Sequence, residues 1–410
     1  MKVLLVNKYF YPRGGSEKVF FDEADLLTRN GHAVGFFSME HPRNLPCTFA
    51  QYFVPGIDYE QEMGLLQKLK EAGRIIYSWK SRKKLRQLLE REQFDLAHLH
   101  NIHHQISPAI LDELASFGVP AVMTLHDYKL VCPIYNLLRA GRPCELCTGG
   151  KFFNCLLHRC TKGSYTKSAI NTAEMYLHRQ ILHLYEKVDR FISPSRFLQQ
   201  KVKEMGFPGE IIYLPNFVRV EEFEPAFGWE ENSIVYYGRL STEKGLSSLM
   251  EAVRGLEVTL KVIGDGPQRE ELERAVSANG IENVRFLGYK QGRDLYDEIR
   301  QAKFVILPSE WYENNPRTVI EAFALGKPVL GSRLGGLPEL ILDHQTGLTC
   351  EPRNPQDLKD KIRYLLDHPG MITAMGQKAR RFVEEEFNPE RHYQGLIEIY
   401  RQAIKSYGRN

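Results

Sequence analysis

The sequence predicts an α/β protein made of two similar halves, each a mostly parallel sheet wound on both sides by helices. Three observations lead there. Short continuous apolar runs, such as Val3-Leu4-Leu5-Val6 and Phe304-Val305-Ile306-Leu307, alternate with amphipathic stretches in two successive series. Unbroken runs of this kind mark strands covered on both faces, and strand–helix alternation marks a parallel sheet. Glycines stand at strand-to-helix junctions, as Gly14-Gly15 and as Gly264-Asp265-Gly266. At 410 residues the chain is also too long for one core.

The first half opens with the strand Val3–Val6. Its apolar run is short, and Lys8 and Arg13 follow at once, so it reads as a strand rather than a signal peptide, which predicts a cytoplasmic protein. Pro12 to Ser16 leads into a helix with Val19, Phe20, Ala24 and Leu27 on its apolar side. Asn30-Gly31 ends it, and Ala33 to Phe37 is the second strand. Phe94 to Leu99, a helix near Pro108 to Phe117, and Pro120 to Leu125 follow. Arg190 to Ser193 and Glu210 to Leu214 complete this half. Asn216 to Asn232 carries Pro225, Gly228 and several glutamates and reads as a linker. The second series runs through Ser233–Tyr237, Val258–Ile263, Val284–Leu287, Phe304–Leu307, Pro328–Leu330 and Leu348–Cys350. From Asp357 to Ile404 the pattern is almost wholly helical.

Composition is ordinary for a soluble globular protein, with 43% hydrophobic and 26% charged residues. A net charge of +3 gives no reason to expect nucleic acid as a partner. No apolar run approaches the length of a membrane span. Seven cysteines, an odd number in a large chain, do not suggest a secreted disulfide framework.

The stretch from Phe304 to Glu339 carries the densest chemistry. Asn315 followed by Pro316 reads as a helix N-cap with proline in the first turn, and Gly326 stops the helix after Leu325. A helix N-terminus after a buried strand suits an anion such as phosphate. Glu313 and Glu321 flank that helix start, and a carboxylate one to two turns in can accept hydrogen bonds from sugar hydroxyls. An ordinary i,i+4 surface pair between Arg317 and Glu321 is equally compatible with the spacing. Earlier in the same half, Arg239 directly follows a strand and Lys244 stands just before a helix. Two cations flanking such a loop suit a diphosphate. Gly264-Asp265-Gly266 permits close approach to the backbone, although Arg269 replaces the third glycine of a dinucleotide fingerprint, and a plain turn needs the same residues.

Glu313, seven intervening residues and Glu321, together with Gly238-Arg239, Glu243-Lys244-Gly245, Gly264-Asp265-Gly266 and Gly14-Gly15, resemble a retaining glycosyltransferase of the GT-B fold, family 4, also called glycosyltransferase group 1. The resemblance implies two Rossmann-like domains facing across a cleft, a nucleoside diphosphate sugar donor, and a glycan or lipid-linked acceptor. It implies domains at about 1–215 and 216–388, with a last helix over 389–410 crossing back to the first. Glu321 would hold the ribose, and Arg239 and Lys244 the diphosphate as a leaving group. Backbone N–H groups at Thr318 and Val319 would cap a phosphate. Glu313 would touch the donor sugar, helped by Asn314 and Asn315, with Gly15, Gly264 and Asp265 also on the donor. Many members carry Gly-Phe-Gly after the first glutamate. Here Asn314-Asn315-Pro316 stands instead, and proline removes one donor N–H. His126, at the end of a strand, would face the donor sugar; the alternative is a loop histidine tied to Asp127. The cluster from His98 to His104 has no metal-ligand spacing and reads as part of the acceptor cleft. No D-x-D occurs in the chain, so catalysis is expected to need no cofactor or divalent ion. A sugar-nucleotide epimerase or hydrolase on the same fold, and a non-catalytic sugar-nucleotide-binding protein, are the competing expectations.

Two further stretches stand apart. A cysteine-rich insert at about 130–165 carries Cys144, Cys147, Cys155 and Cys160, compatible either with a structural zinc or with reduced thiols. Residues 67–91 combine many lysines and arginines with an apolar side. They fit an outer helix of the first domain or a peripheral contact with an anionic membrane at its inner face.

Overall fold

The computed structural model describes residues 1–56, 73 and 76–408. Two compact units emerge. One comprises Met1–Asn136, Glu145–Leu214 and Tyr393–Asn410; the other comprises Leu137–Cys144 and Pro215–His392. Part of the insert thus groups with the second unit, since Leu138–Arg139 and Arg142–Pro143 form a small antiparallel hairpin there.

The first unit holds a six-stranded parallel sheet. Its strands are β1 (Lys2–Val6), β2 (Ala33–Phe37), β3 (Leu96–Leu99), β4 (Ala121–Thr124), β5 (Arg190–Ser193) and β6 (Ile211–Tyr213). In space they run β2-β1-β3-β4-β5-β6. β1, β3 and β4 are buried almost throughout, which is why their sequences read as continuous apolar runs. The helix Gly15–Arg29 packs Phe20, Ala24 and Leu27 into the core beneath the sheet. Leu396, Ile397, Ile399, Tyr400 and Ala403, from the helix Pro389–Tyr407, belong to that same core.

The second unit repeats the plan with β7 (Ser233–Tyr237), β8 (Thr259–Ile263), β9 (Val284–Gly288), β10 (Val305–Leu307), β11 (Val329–Ser332) and β12 (Gly347–Cys350), ordered β9-β8-β7-β10-β11-β12. The order reverses beside β7, where the chain passes outward to β8 on one side and β10 on the other. In open α/β sheets that reversal is where ligands bind, beyond the carboxyl ends of the strands.

Of the basic stretch 67–91, residues 67–72 and 74–75 lie outside the described residues. The described part forms the helix Trp79–Leu89, which buries Ser81, Leu85, Leu88 and Leu89. Arg82 and Arg86 both pair with the buried carboxylate of Glu113, at 2.6 and 2.9 Å. Some of its positive charge is therefore spent within the first unit. Among the described residues, no helix is long and apolar enough to cross a membrane.

Candidate active site

In the second unit the carboxyl ends of β7, β8 and β10 bring three loops together. Leaving β7, Gly238 takes φ +147° and its N–H donates to the Ile263 carbonyl at 3.0 Å. Gly264 takes φ +141°, and a Cβ there would stand 1.9 Å from the Gly238 carbonyl oxygen. Only glycine lets these two backbones touch, so the G-x-G after β8 is more than a plain turn. The Leu240 N–H then donates to the Asp265 carbonyl at 2.9 Å. The exposed Asp265 turns its own carboxylate onto the Gly266 N–H at 2.8 Å. Arg239 is exposed, and among the described residues no carboxylate pairs with it.

Lys244 lies in a short 3-10 turn before the helix Leu246–Val253. Because β7 and β10 are neighbours, its ammonium meets the loop after β10 and donates to Glu313 Oε1 at 2.6 Å. Ser309 Oγ donates to the same oxygen at 2.6 Å. Glu313 is only 4% exposed. Burial pushes its carboxyl up, yet Lys244, with help from Ser309, holds it below the ordinary carboxylate value. The Lys244 ammonium also sits 5.2 Å from the Trp311 ring centroid. The glutamate's own backbone is clasped by the Gly335-Gly336 loop: the Gly336 N–H donates to the Glu313 carbonyl at 2.7 Å.

The helix beyond Glu313 runs from Arg317 to Ala324 with Pro316 at its N-cap, one residue later than the sequence suggested. Asn315 therefore does not cap it. The Asn315 carbonyl accepts from Asn216 at 3.0 Å, while its side-chain Oδ1 is buried and has no hydrogen-bond partner among the described residues. The Val319 N–H is engaged by the Pro316 carbonyl at 3.0 Å, which takes it from the pair of N–H groups expected to cap a phosphate. Thr318 remains in the first turn, where an α-helix offers no backbone acceptor. Its carbonyl is held by the Tyr237 hydroxyl at 2.5 Å. Arg317 and Glu321 do pair, at 3.2 Å, but both are buried and Arg317 also donates to the Phe217 carbonyl at 3.0 Å. The surface-pair reading of these two residues is thereby corrected.

In the first unit His126 follows β4 and His100 follows β3, its neighbour in the sheet. His126 Nε2 and His100 Nδ1 are 2.9 Å apart, with the rings stacked. The alternative of a tie to Asp127 does not occur: that carboxylate accepts the Lys129 N–H at 2.9 Å. Burial, reinforced by His100, pushes His126 down to about 3, so its imidazole is neutral at physiological pH. Behind it stand His98, His100 and Glu23, whose ligand-type atoms all lie within 4.8 Å of one another. Gly15 opens the helix Gly15–Arg29, and a Cβ there would meet nothing within 4 Å.

Cys144 groups with the second unit; Cys147, Cys155 and Cys160 lie in the first. A tetrahedral zinc holds its sulfurs about 3.8 Å apart. As placed, the four do not form such a group among the described residues. Cys155 and Cys160 do interact, and the contact lowers the Cys155 thiol to about 7.

Sequence reasoning missed Ser309, Trp311 and Glu23. Glu23 had a legible signal: it lies three residues after Phe20 and four before Leu27, a carboxylate on the core face of an amphipathic helix. Ser309 and Trp311 had none, since neither is tied to Glu313 by any sequence period.

Residues 13–222 match the family model described as Glycosyltransferase Family 4, and residues 219–382 match Glycosyl transferases group 1. An uncharacterized glycosyltransferase of Methanocaldococcus jannaschii is 28% identical over 52% of this chain, a match spanning 60% of that relative. The N-acetyl-alpha-D-glucosaminyl L-malate synthase of Bacillus anthracis is 23% identical over 96% of both chains. Among solved structures, sucrose-phosphate synthase from Thermosynechococcus elongatus superposes with a TM-score of 0.75 at 18% identity, covering 99% of each chain. The Anabaena protein HepE, solved in complex with UDP and glucose, superposes with a TM-score of 0.68 at 19% identity, covering 97% of this chain and 99% of its own. At such identities the structures speak to the fold, which is that of the GT-B glycosyltransferases. The Family 4 model covers more than half of the sequence and the group 1 model continues where it ends, so the chain belongs to this glycosyltransferase family.

Proposed function

We propose that the protein transfers a sugar, with retention, from a nucleoside diphosphate sugar to a glycan or lipid-linked acceptor. The observation that carries the reading is the pair of the half-buried Lys244 and the buried Glu313 at the carboxyl end of β7 and β10. It sets an ammonium and a sugar-binding carboxylate side by side where such a sheet takes its ligand. The exposed Arg239 and the first turn at Thr318 add positive potential for a diphosphate. Glu321 takes the ribose hydroxyls, sharing its carboxylate with Arg317. A sugar hydroxyl would satisfy the buried Asn315 Oδ1, which no group among the described residues serves. In the first unit, His126 is assigned to a sugar hydroxyl. Packing within the chain does not require glycine at position 15, which fits close approach of a ligand there.

The bond from the anomeric carbon to the diphosphate breaks with its electron pair on the leaving phosphate, whose charge Arg239 and Lys244 offset. The acceptor oxygen bonds to the same face of that carbon, and its proton passes to a phosphate oxygen. No step requires a divalent ion. HepE was solved with UDP and glucose, and also with UDP-glucose, which makes UDP-sugars the first donors to try. A thermal-shift screen of nucleotide sugars, followed by product analysis with and without acceptors, tests the reading. Glu321→Ala should weaken binding of the matching nucleoside diphosphate at least tenfold. Unchanged binding and turnover would remove the site assignment, and sugar released or isomerised without any acceptor would replace transfer by hydrolysis or epimerisation.

A further inference from the structure

Glu23 is the one carboxylate on the core face of the helix Gly15–Arg29 that touches the histidines of the sheet. It is 2% exposed, and its Oε2 stands 3.3 Å from His100 Nε2 and 3.4 Å from His98 Nδ1. His98 is held on both ring nitrogens, by the Tyr400 hydroxyl at 2.8 Å and by Thr124 Oγ1 at 2.7 Å. The route from the carboxylate to His126 therefore runs through His100, whose other nitrogen, Nδ1, is 2.9 Å from His126 Nε2.

The order of protons along this route follows from donor and acceptor rules. The 3.3 Å contact is an ion-pair distance without hydrogen-bond alignment, and since a carboxylate only accepts, the hydrogen of His100 is assigned to the nitrogen facing it. With a single hydrogen on that ring, placed on Nε2, His100 Nδ1 is bare and able only to accept; this one-hydrogen state of His100 is part of the proposal. The His126 nitrogen facing it must then be the donor. His126, also neutral, is left with a bare Nδ1, and among the described residues nothing in the chain donates to it. Without the carboxylate, His100 can carry its hydrogen on Nδ1, and His126 is turned into the opposite tautomer.

We propose that Glu23 is a positioning residue: through His100 it fixes His126 as the Nε2–H tautomer, so that Nδ1 accepts a hydrogen bond from a sugar or acceptor hydroxyl. The role for His126 rests on the transfer reading above; the relay itself does not. A fixed acceptor selects substrates that present a hydroxyl donor at that point and leaves an ether or fluorine in its place unserved.

The experiment uses protein labelled with 15N on histidine, free of ligand, at pH 7.5. Long-range proton–nitrogen spectra report the tautomer of each ring, and the His126 signal is assigned by its loss in His126→Asn. The wild type should show His126 as Nε2–H. Glu23→Gln, which keeps an acceptor oxygen, should preserve that pattern. Glu23→Leu should move His126 to Nδ1–H or to a mixture, and should lower the turnover of transfer at least tenfold with donor KM changed less than threefold. A wild-type His126 that is Nδ1–H, or one unmoved by Glu23→Leu, would overturn the proposal. If Glu23→Leu does not fold, Glu23→Ala, which also removes the acceptor, is read in its place by the same criterion. Because the spectra are taken without substrate, they judge the relay whatever the reaction. Wild-type transfer by His126→Asn would count against the role of His126 in transfer and leave the relay standing.

Discussion

Replacing Lys244 by methionine tests whether its pair with Glu313 is arranged as described. Glu313 Oε1 would keep its hydrogen bond from Ser309 but lose the ammonium at 2.6 Å. Removing one partner of a buried pair typically costs about 3–5 kcal/mol. The Lys244 side chain retains 19% exposure, so water screens part of the interaction. A loss of about 2–4 kcal/mol at pH 7 is expected, after that discount. For a domain of this size the transition should fall by roughly 5–15 °C.

The sign of the pH dependence is the sharper test. In the wild type the Glu313 carboxyl is held below its unfolded value, so its stabilisation is complete above about pH 4.3 and is lost as pH falls through the folded value. In Lys244→Met, burial stands largely unopposed and lifts the folded carboxyl above the unfolded one. The penalty is then full near pH 8 and shrinks as pH falls toward about 4.3. Thermal melts of both proteins between pH 5 and pH 8 should show the variant's deficit narrowing on acidification. A deficit constant across that range would refute the account of Glu313 as a buried carboxylate kept ionised by Lys244.

Other substitutions separate ligand roles from structural ones. Arg239→Ala removes an exposed side chain with no carboxylate partner among the described residues, so the melting temperature should hold while nucleoside diphosphate affinity falls at least tenfold, read by calorimetry. Gly264→Ala places a Cβ 1.9 Å from the Gly238 carbonyl at a positive φ and should destabilise by about 3 kcal/mol or more, visible as lost soluble yield. Gly15→Ala meets nothing within 4 Å and should melt as the wild type does while transferring poorly. Lys129→Met strands the fully buried Glu174, its partner at 2.7 Å, and should cost about 3–5 kcal/mol in denaturant unfolding.

The sheets were legible in the sequence because most of their parallel strands are buried on both faces and leave short apolar runs, and each strand named above falls within a residue or two of the stretch read for it. The glycines after β7 and β8 were legible as loops, but not as two backbones in contact. The Lys244–Glu313 pair was not legible. Its members lie 69 residues apart and meet only because the strand order reverses between β8 and β10. The same is true of Glu23, which is brought to His100 by the packing of a helix on a sheet. Pro316 shifted the helix start because its ψ of 122° is extended, placing the cap on the proline instead of on Asn315. The hairpin at Leu138–Pro143 carries no periodic signal in so short a span.

The helix Pro389–Tyr407 has a consequence for the order in which the molecule is made. Leu396, Ile399, Tyr400 and Ala403 share a core with Val3, Leu5 and Phe20, and Tyr400 anchors His98. A ribosome must therefore deliver the entire second unit before the first sheet receives its last buried side chains. Domains commonly fold in the order they emerge. Here the first to emerge is the last to close, and nascent chains whose last helix has not yet left the ribosome should expose an unfinished first-unit core to chaperones and proteases.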